Sequence, residues 1–347
     1  MSIKPIKGRR ITLIGGAGFI GHNLALHLKS LGAEVSLIDG LEVNNLISVI
    51  GNVDNLPHPQ LSLAMLHERL RLLREADIPL YVQDARDYHG LTKSLNKTNP
   101  QVIVHLAAVS HANRSNKNPY STFDHSLRTL ENALDNARSS DELEQFIYFS
   151  SSMVYGHFKN GQVDESTCCE PLGIYGALKF AGEKLVIGYN QVFGMPYTII
   201  RPSALYGQRC ISRRVGQIFI ENALVGKEIT INGNGSDGLD FTYIQDLVDG
   251  ITKAIENDNA HNQIFNLTYG SARTVGDMID ILRTYFPDIK VCRVPKDALM
   301  PDRGTLSIEK ARSLIGYEPG WPLDKGYPKY IEWYKELFER DPALHTR

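Results

Sequence analysis

The chain has 347 residues, enough for a large core in one big domain or two closely joined ones. With 37 basic and 39 acidic residues its formal net charge is −2, which excludes bulk attraction to nucleic acid or an anionic membrane. Hydrophobic residues make up 42% and charged residues 22%, ordinary for a soluble globular protein, and no run of about 18 apolar residues offers a membrane span.

The N-terminal KPIKGRRITLIGGAGFIG has the basic-then-apolar order of a signal peptide. Glycines interrupt its apolar run and no small-residue cleavage site follows closely, so it reads as a first strand and turn. Cys168 and Cys169 are adjacent while Cys210 and Cys292 stand alone. Without a CxxC or zinc spacing, they read as free thiols in a reducing compartment, and a cytoplasmic location is expected.

Short apolar runs at 10–15, 34–39, 79–84, 101–107, 145–150 and 197–202 read as strands. Helical periodicity lies between most of them, as in Phe19 to Leu31 and Tyr120 to Ala137. Alternating strands and helices, with strands apolar throughout, imply a doubly wound parallel α/β sheet covered on both faces. After the first strand, GGAGFIG places Gly15, Gly18 and Gly21 at the opening of a helix. Gly15 and Gly18 permit a tight turn and close approach to a pyrophosphate, beside Phe19 and Ile20. Gly21 permits close helix packing, and the free helix N–H groups complete a dinucleotide cradle. Asp39 ends the second strand eighteen residues after Gly21. A carboxylate there accepts from both ribose hydroxyls and repels a 2′-phosphate, which points to NAD rather than NADP.

A long insert lies between Asp39 and Pro79. Its Leu63, Leu66, Leu70 and Leu73, with arginines between, predict a surface helix. Asp84 ends PLYVQD, either placed to reach an adenine amino group or serving as a turn carboxylate. HLAA (105–108) ends the fourth strand with small residues, so Ala107 can lie against the cofactor, while His105 reads as structural. SHANRS (110–115) follows near the active site, with Ser110 and His111 as substrate-contact candidates.

FSSSMVYG (149–156) ends the fifth strand with three serines. Beyond it, GIYGALKFAGEKL puts Tyr175 and Lys179 on one face of a helix. A lysine ammonium and a positive nicotinamide both favour a phenolate, making a base suited to take a proton from a sugar hydroxyl. Lys179 can also hold the nicotinamide ribose. Past Arg201 the pattern loosens. GNGSDGLD (233–240) is turn-rich, FTYIQDLVDGITKAIEN reads as a strand running into a helix, and TVGDMIDILRTYF and YPKYIEWYKELFER read as further helices.

Taken in order, GGAGFIG, HLAA, FSSSMVYG, YGALK and DFTYIQD resemble the extended short-chain dehydrogenase/reductase family, in its NAD-dependent nucleotide-sugar epimerase and dehydratase branch. The resemblance implies a Rossmann domain over 1–200 and 240–266, with a smaller mixed α/β substrate-binding cap over 201–239 and 267–347. It implies Ser151 as the hydroxyl partner of Tyr175, four residues before the Tyr of VYG, and Ser152 as a neighbouring contact. The family's dehydratases carry acids just after the catalytic hydroxyl residue. Here Ser152 and Met153 stand there, and a thioether cannot act as acid or base, which argues against dehydration.

Other positions depart from the family's pattern. Ala204 stands where many relatives have Asn, Leu239 where many have Arg, and His125 where an Asn is usual. The missing phosphate-facing groups leave Arg209, Arg213, Arg214 and Arg303 as substitutes, Arg303 in a segment like the family's late substrate arginine. Arg213 and Arg214 read equally well as solvated charges. The expected activity is epimerisation of a nucleotide sugar at C4 through a transient keto-sugar, by a homodimer formed on the helices near 120–137 and 175–193. The alternative is net oxidation or reduction of such a sugar with release of NADH. A catalytically silent NAD-sensing scaffold is a third reading.

Overall fold

The computed structural model describes residues 4–51, 53, 56–110, 112–295 and 300–345. Seven strands form the central sheet: β1 (Arg10–Ile14), β2 (Glu34–Asp39), β3 (Leu80–Val82), β4 (Val102–His105), β5 (Gln145–Phe149), β6 (Tyr197–Arg201) and β7 (Gln263–Asn266). Every pairing is parallel, in the order β7-β6-β5-β4-β1-β2-β3. All residues of β4, β5 and β6 are buried, as expected of strands covered on both faces. The order reverses between β1 and β4, so the loops leaving these two strands diverge and open a crevice at their carboxyl ends.

Helices cover the two faces separately. On one side α1 (Phe19–Ser30), α2 (Pro59–Glu75) and α6 (Ile244–Glu256) bury Leu24, Leu28, Met65, Leu66, Leu247 and Ile251 in the larger core. On the other, α3 (Tyr88–Thr98), α4 (Thr129–Ala137) and α5 (Gly173–Phe193) bury Leu91, Leu95, Leu130, Leu134 and Val186. The helical segment expected from Tyr120 contains a π turn at Asp124–Arg128 before α4. Helix α7 (Leu323–Arg340) buries Tyr327, Tyr330 and Tyr334 beside residues of the cap. Short strand pairs stand outside the central sheet: 205–206 with 242–243, 229–232 with 291–294, 238–239 with 273–274, and 162–163 with 305–306.

Two sequence expectations change here. Strand β7 was not anticipated: QIFN is only four residues long and gains its identity from pairing with β6, which no local pattern announces. Helix α2 forms where the leucine spacing placed it, but it is not simply a surface helix. Leu61, Met65, Leu66, Arg69 and Leu73 are buried, with Arg69 only 1% exposed. Its apolar stripe packs against α1 and carries one arginine inward.

Helix α5 is pinned from below. Glu183 accepts from Arg201 Nε at 2.9 Å and Nη2 at 2.7 Å, and from the Ser150 hydroxyl. Both ionic side chains are almost wholly buried, at 3% and 1% exposure for Arg201 and Glu183. Replacing Glu183 by Leu leaves an unpaired buried guanidinium. We expect it to cost about 3–5 kcal/mol of unfolding free energy by urea denaturation, whereas Glu131→Leu on an exposed i,i+3 pair changes stability by under about 0.5 kcal/mol.

Candidate active site

The crevice holds two connected cavities. The first is lined by Gly15, Gly18, Phe19, Ile20, Gly21, Asp39, Asp84 and Ala107. The structure therefore gathers every residue expected to hold the dinucleotide at this end. Gly15 has φ +80°, and a Cβ there would lie 2.7 Å from the Ala107 backbone nitrogen, so the turn closes onto β4 only as glycine. Gly18 caps α1 without a side-chain hydrogen bond and no acid sits in the first helical turn, which leaves the helix amides for an anion. The two Asp39 oxygens accept from Ala17 N at 2.9 Å and Leu41 N at 2.7 Å. A carboxylate offers about four acceptor sites, so ribose hydroxyls can still be taken. These residues fit a dinucleotide.

Asp84 is more constrained than a free adenine contact. Both its oxygens accept from Arg86 Nε, at 3.0 and 2.9 Å. Burial would raise this carboxyl, but the hydrogen bonds from Arg86 outweigh burial and hold it below its ordinary value. Arg86 continues to Glu42 at 2.7 Å, and Glu42 meets His125 Nε2 at 3.0 Å. Glu42 and His125 also line the cavity. Sequence reasoning missed this chain because Glu42 and His125 are 83 residues apart.

Arg69 was also missed. It donates to the Arg209 carbonyl from Nε at 3.0 Å and from Nη2, and to the Ala17 carbonyl from Nη1 at 3.5 Å. It thus ties the glycine turn to the loop leading into the cap. Burial lowers it to about 10, so it remains charged at neutral pH. A signal was present: position 69 falls on the buried stripe of Met65, Leu66 and Leu73.

The second cavity shares Ile20, Leu106, Ala108, Ser110, Leu205 and Arg214 with the first. Ser151, Ser152, Met153, Tyr175, Lys179 and Arg303 all line it. Ser151 caps a single 3-10 turn and accepts from Met153 N at 3.2 Å. Lys179 Nζ donates to the Phe149 carbonyl at 2.6 Å and lies 5.2 Å from the Tyr148 ring centroid. Burial pushes Lys179 down to about 8, with Glu183 opposing. A Cβ on Gly176 would lie 2.8 Å from the Met153 carbonyl oxygen, so glycine at this position lets α5 bring Tyr175 close to the serine turn. Ser150, by contrast, faces Glu183.

The arginine candidates separate. Arg303 Nη2 donates to the hydroxyls of Ser152 and Ser203, the latter at 2.8 Å. Arg214 reaches the Ser110 carbonyl at 3.4 Å, and its Nε is buried without a described partner. Ser110 accepts in turn from Asn44 at 2.9 Å. Arg213 lines the cavity and meets Glu221 at 3.4 Å, so neither Arg213 nor Arg214 is merely solvated. Arg209 is corrected: its guanidinium donates to His22 at 2.9 Å, Asn23 at 3.1 Å and Glu68 at 3.2 Å, and it lines neither cavity. Its φ of +61° turns the side chain toward α1 and α2. His111 lies outside the described residues.

A sequence profile of the NAD dependent epimerase/dehydratase family matches residues 11–268. UDP-glucuronate 4-epimerase 1 of Arabidopsis thaliana is 29% identical over 95% of this chain and 78% of its own length. A putative UDP-glucose 4-epimerase of Methanocaldococcus jannaschii is 29% identical over 94% of this chain and 98% of its own. The crystal structure of UDP-glucuronic acid 4-epimerase from Bacillus cereus, in complex with UDP-glucuronic acid and NAD, superposes with a TM-score of 0.83. It is 25% identical and is covered to 99%, against 94% of this chain.

Arg69→Met retains the buried stem but takes the described donor from the Arg209 carbonyl and leaves the Ala17 carbonyl with Asn45 alone. We expect a loss of about 2–4 kcal/mol in urea unfolding and a weaker calorimetric affinity for the dinucleotide. Arg74→Met, on the exposed side of the same helix, serves as the neutral comparison.

Proposed function

Since the chain belongs to the NAD dependent epimerase/dehydratase family, the extended short-chain dehydrogenase/reductases, we propose that it epimerises a UDP-activated sugar at C4. The observation that carries this reading is one continuous crevice. A dinucleotide cradle opens into a cavity lined by Ser151, Tyr175 and Lys179, with Ser152 and Met153 where a dehydration acid would stand. Asp237, on the 233–240 turn of the cap, is the one carboxylate among the described residues lining the second cavity. Among the described residues, none beside Ser151 brings a carboxylate that could remove an α proton and expel water. The relatives' activities point the same way.

Bound NAD+ supplies the two-electron oxidant and, reduced, the reductant. The protein's part is proton transfer and positioning. Tyr175 takes the proton of the C4 hydroxyl while Ser151 holds that oxygen by a hydrogen bond. Lys179, one helical turn on, supplies the positive charge that favours the phenolate and is held in place by the Phe149 carbonyl. The keto-sugar then turns within the cavity, and Tyr175 returns the proton when the opposite face is reduced. No net redox change accumulates, which separates this reading from a dehydrogenase releasing NADH.

The family's homodimer is proposed on the face where Tyr120, Phe123, Leu185, Val192 and Phe193 remain exposed, Tyr120 by 80% and Val192 by 72%. These lie on the two helical segments expected to pair. A cytoplasmic location is proposed from the four free thiols, which a reducing compartment preserves. Among the described residues no helix is long and apolar enough to cross a membrane.

Tyr175→Phe should lower kcat about 10²–10⁴-fold in a coupled epimerase assay with NAD+ still bound. Stoichiometric NADH at 340 nm from the wild type would instead establish a dehydrogenase. Because Lys179 is charged only below about 8, kcat/KM should fall as pH rises through that value. Lys179→Met should remove this alkaline limb together with most of the activity.

A further inference from the structure

We propose that Arg303 reads a carboxylate on the sugar ring, so that the substrate is a nucleoside-diphosphate uronic acid; the inference rests on the crevice being the epimerase site. The first ground is place. Arg303 is held by the hydroxyls of Ser152 and Ser203. Ser152 is the next residue after Ser151, and Ser203 lies two residues beyond the end of β6. In a pyranose, C4 and C1 occupy opposite corners. If C4 reacts at Ser151 and Tyr175, the diphosphate on C1 leaves from the far side of the ring. What lies beside C4 is the C3 hydroxyl and the C5–C6 arm. A cation anchored next to Ser151 therefore faces the arm, where a uronic acid carries its carboxylate.

The second ground is charge. Other buried and half-buried arginines are matched: Arg9 by Glu144, Arg201 by Glu183, Arg209 by Glu68, and Arg69 by two carbonyls. Arg303 has only two neutral hydroxyls, with no carboxylate bonded to it among the described residues. Asp240 is near enough to be felt, but it is spent on Thr268, Gly270 N and Leu306 N. Burial, and then the charge of Arg214, lower Arg303 to about 10, which still leaves it cationic at neutral pH. A half-buried cation with no carboxylate bonded to it among the described residues is costly, and a ligand carboxylate relieves that cost.

The third ground is the free part of the guanidinium. Both described hydrogen bonds leave from Nη2, so Nε and Nη1 retain N–H groups for a planar two-oxygen acceptor. The diphosphate has its own partner in Arg214, whose Nε is buried without a described partner at the junction of the two cavities.

The test is calorimetric binding of UDP-glucuronate and UDP-glucose to the NAD+-loaded protein, which reads the subsite independently of turnover. We expect the wild type to bind the uronate about 10²-fold more tightly. Arg303→Met should bring the two affinities within about threefold, and Arg303→Lys, which keeps the charge but not the fork, should lose about half the preference on a logarithmic scale. Equal binding of both sugars by the wild type would overturn the proposal. So would an Arg303→Met or Arg303→Lys variant that weakens both sugars by one factor, the mark of a phosphate contact. Failure of every UDP-sugar to turn over would overturn the epimerase reading instead, while the binding ratio would still decide the role of Arg303.

Discussion

The buried pair of Glu183 and Arg201 sets the geometry on which the crevice depends. It joins the middle of α5 to the end of β6, and Ser150 joins the same carboxylate to the end of β5. Three elements distant in sequence are thereby fixed at one level. Tyr175, Lys179 and Glu183 follow at intervals of four along one helix face. Once Glu183 is held, Lys179 is carried beneath the Phe149 carbonyl and Tyr175 into the cavity. Two charges out of water gain little net stability even when well paired. The pair's value lies in allowing one helix register, because a shifted helix would strand both charges.

Four arginines, Arg69 and Arg201 buried and Arg209 and Arg303 half-buried, show how differently one side chain can be satisfied. Arg201 has a bidentate carboxylate. Arg209 has one carboxylate and two neutral acceptors. Arg69 has backbone carbonyls alone, and so acts as a strut between the glycine turn and the cap loop. Arg303 rests on hydroxyls. Moving along this series, the protein supplies less of the countercharge itself. Arg201 and Arg209 are paired with carboxylates within the fold, whereas Arg303 in the second cavity is held by hydroxyls, as its proposed binding role requires.

The alternating apolar runs and the glycine turn made six of seven strands and the dinucleotide cradle readable, since both are short-range patterns with direct physical causes. Strand β7 was not readable, because four residues acquire strand character only beside β6. The catalytic candidates were legible through their order along the chain, and the crevice does bring Ser151, Tyr175 and Lys179 together. The arginines were less so. A guanidinium on a long stem can serve either side of a loop, and only backbone direction decides which. Arg209 and Arg303 were both candidates in sequence, Arg303 with the added support of its segment, yet one turns toward α1 and α2 and the other into the cavity. Arg69 looked like surface charge because its stripe was judged by its leucines alone.

The three serines after β5 show how a strand end distributes chemistry. Backbone extended through Ser150 and into Ser151 sends successive side chains to opposite sides. Ser150 therefore points toward α5 and meets Glu183. Ser151 turns into the crevice and caps the short 3-10 turn, which fixes its hydroxyl by a contact to Met153 N. Ser152 opens that turn and meets Arg303 from the cap. One hydroxyl joins the scaffold, one lines the second cavity as the proposed partner of Tyr175, and one holds the Arg303 guanidinium. An acid in place of Ser152 would neutralise Arg303 outright and place a proton acceptor near the sugar's α carbon. The serine does neither, which is what the proposed epimerisation and the proposed selecting role of Arg303 both require.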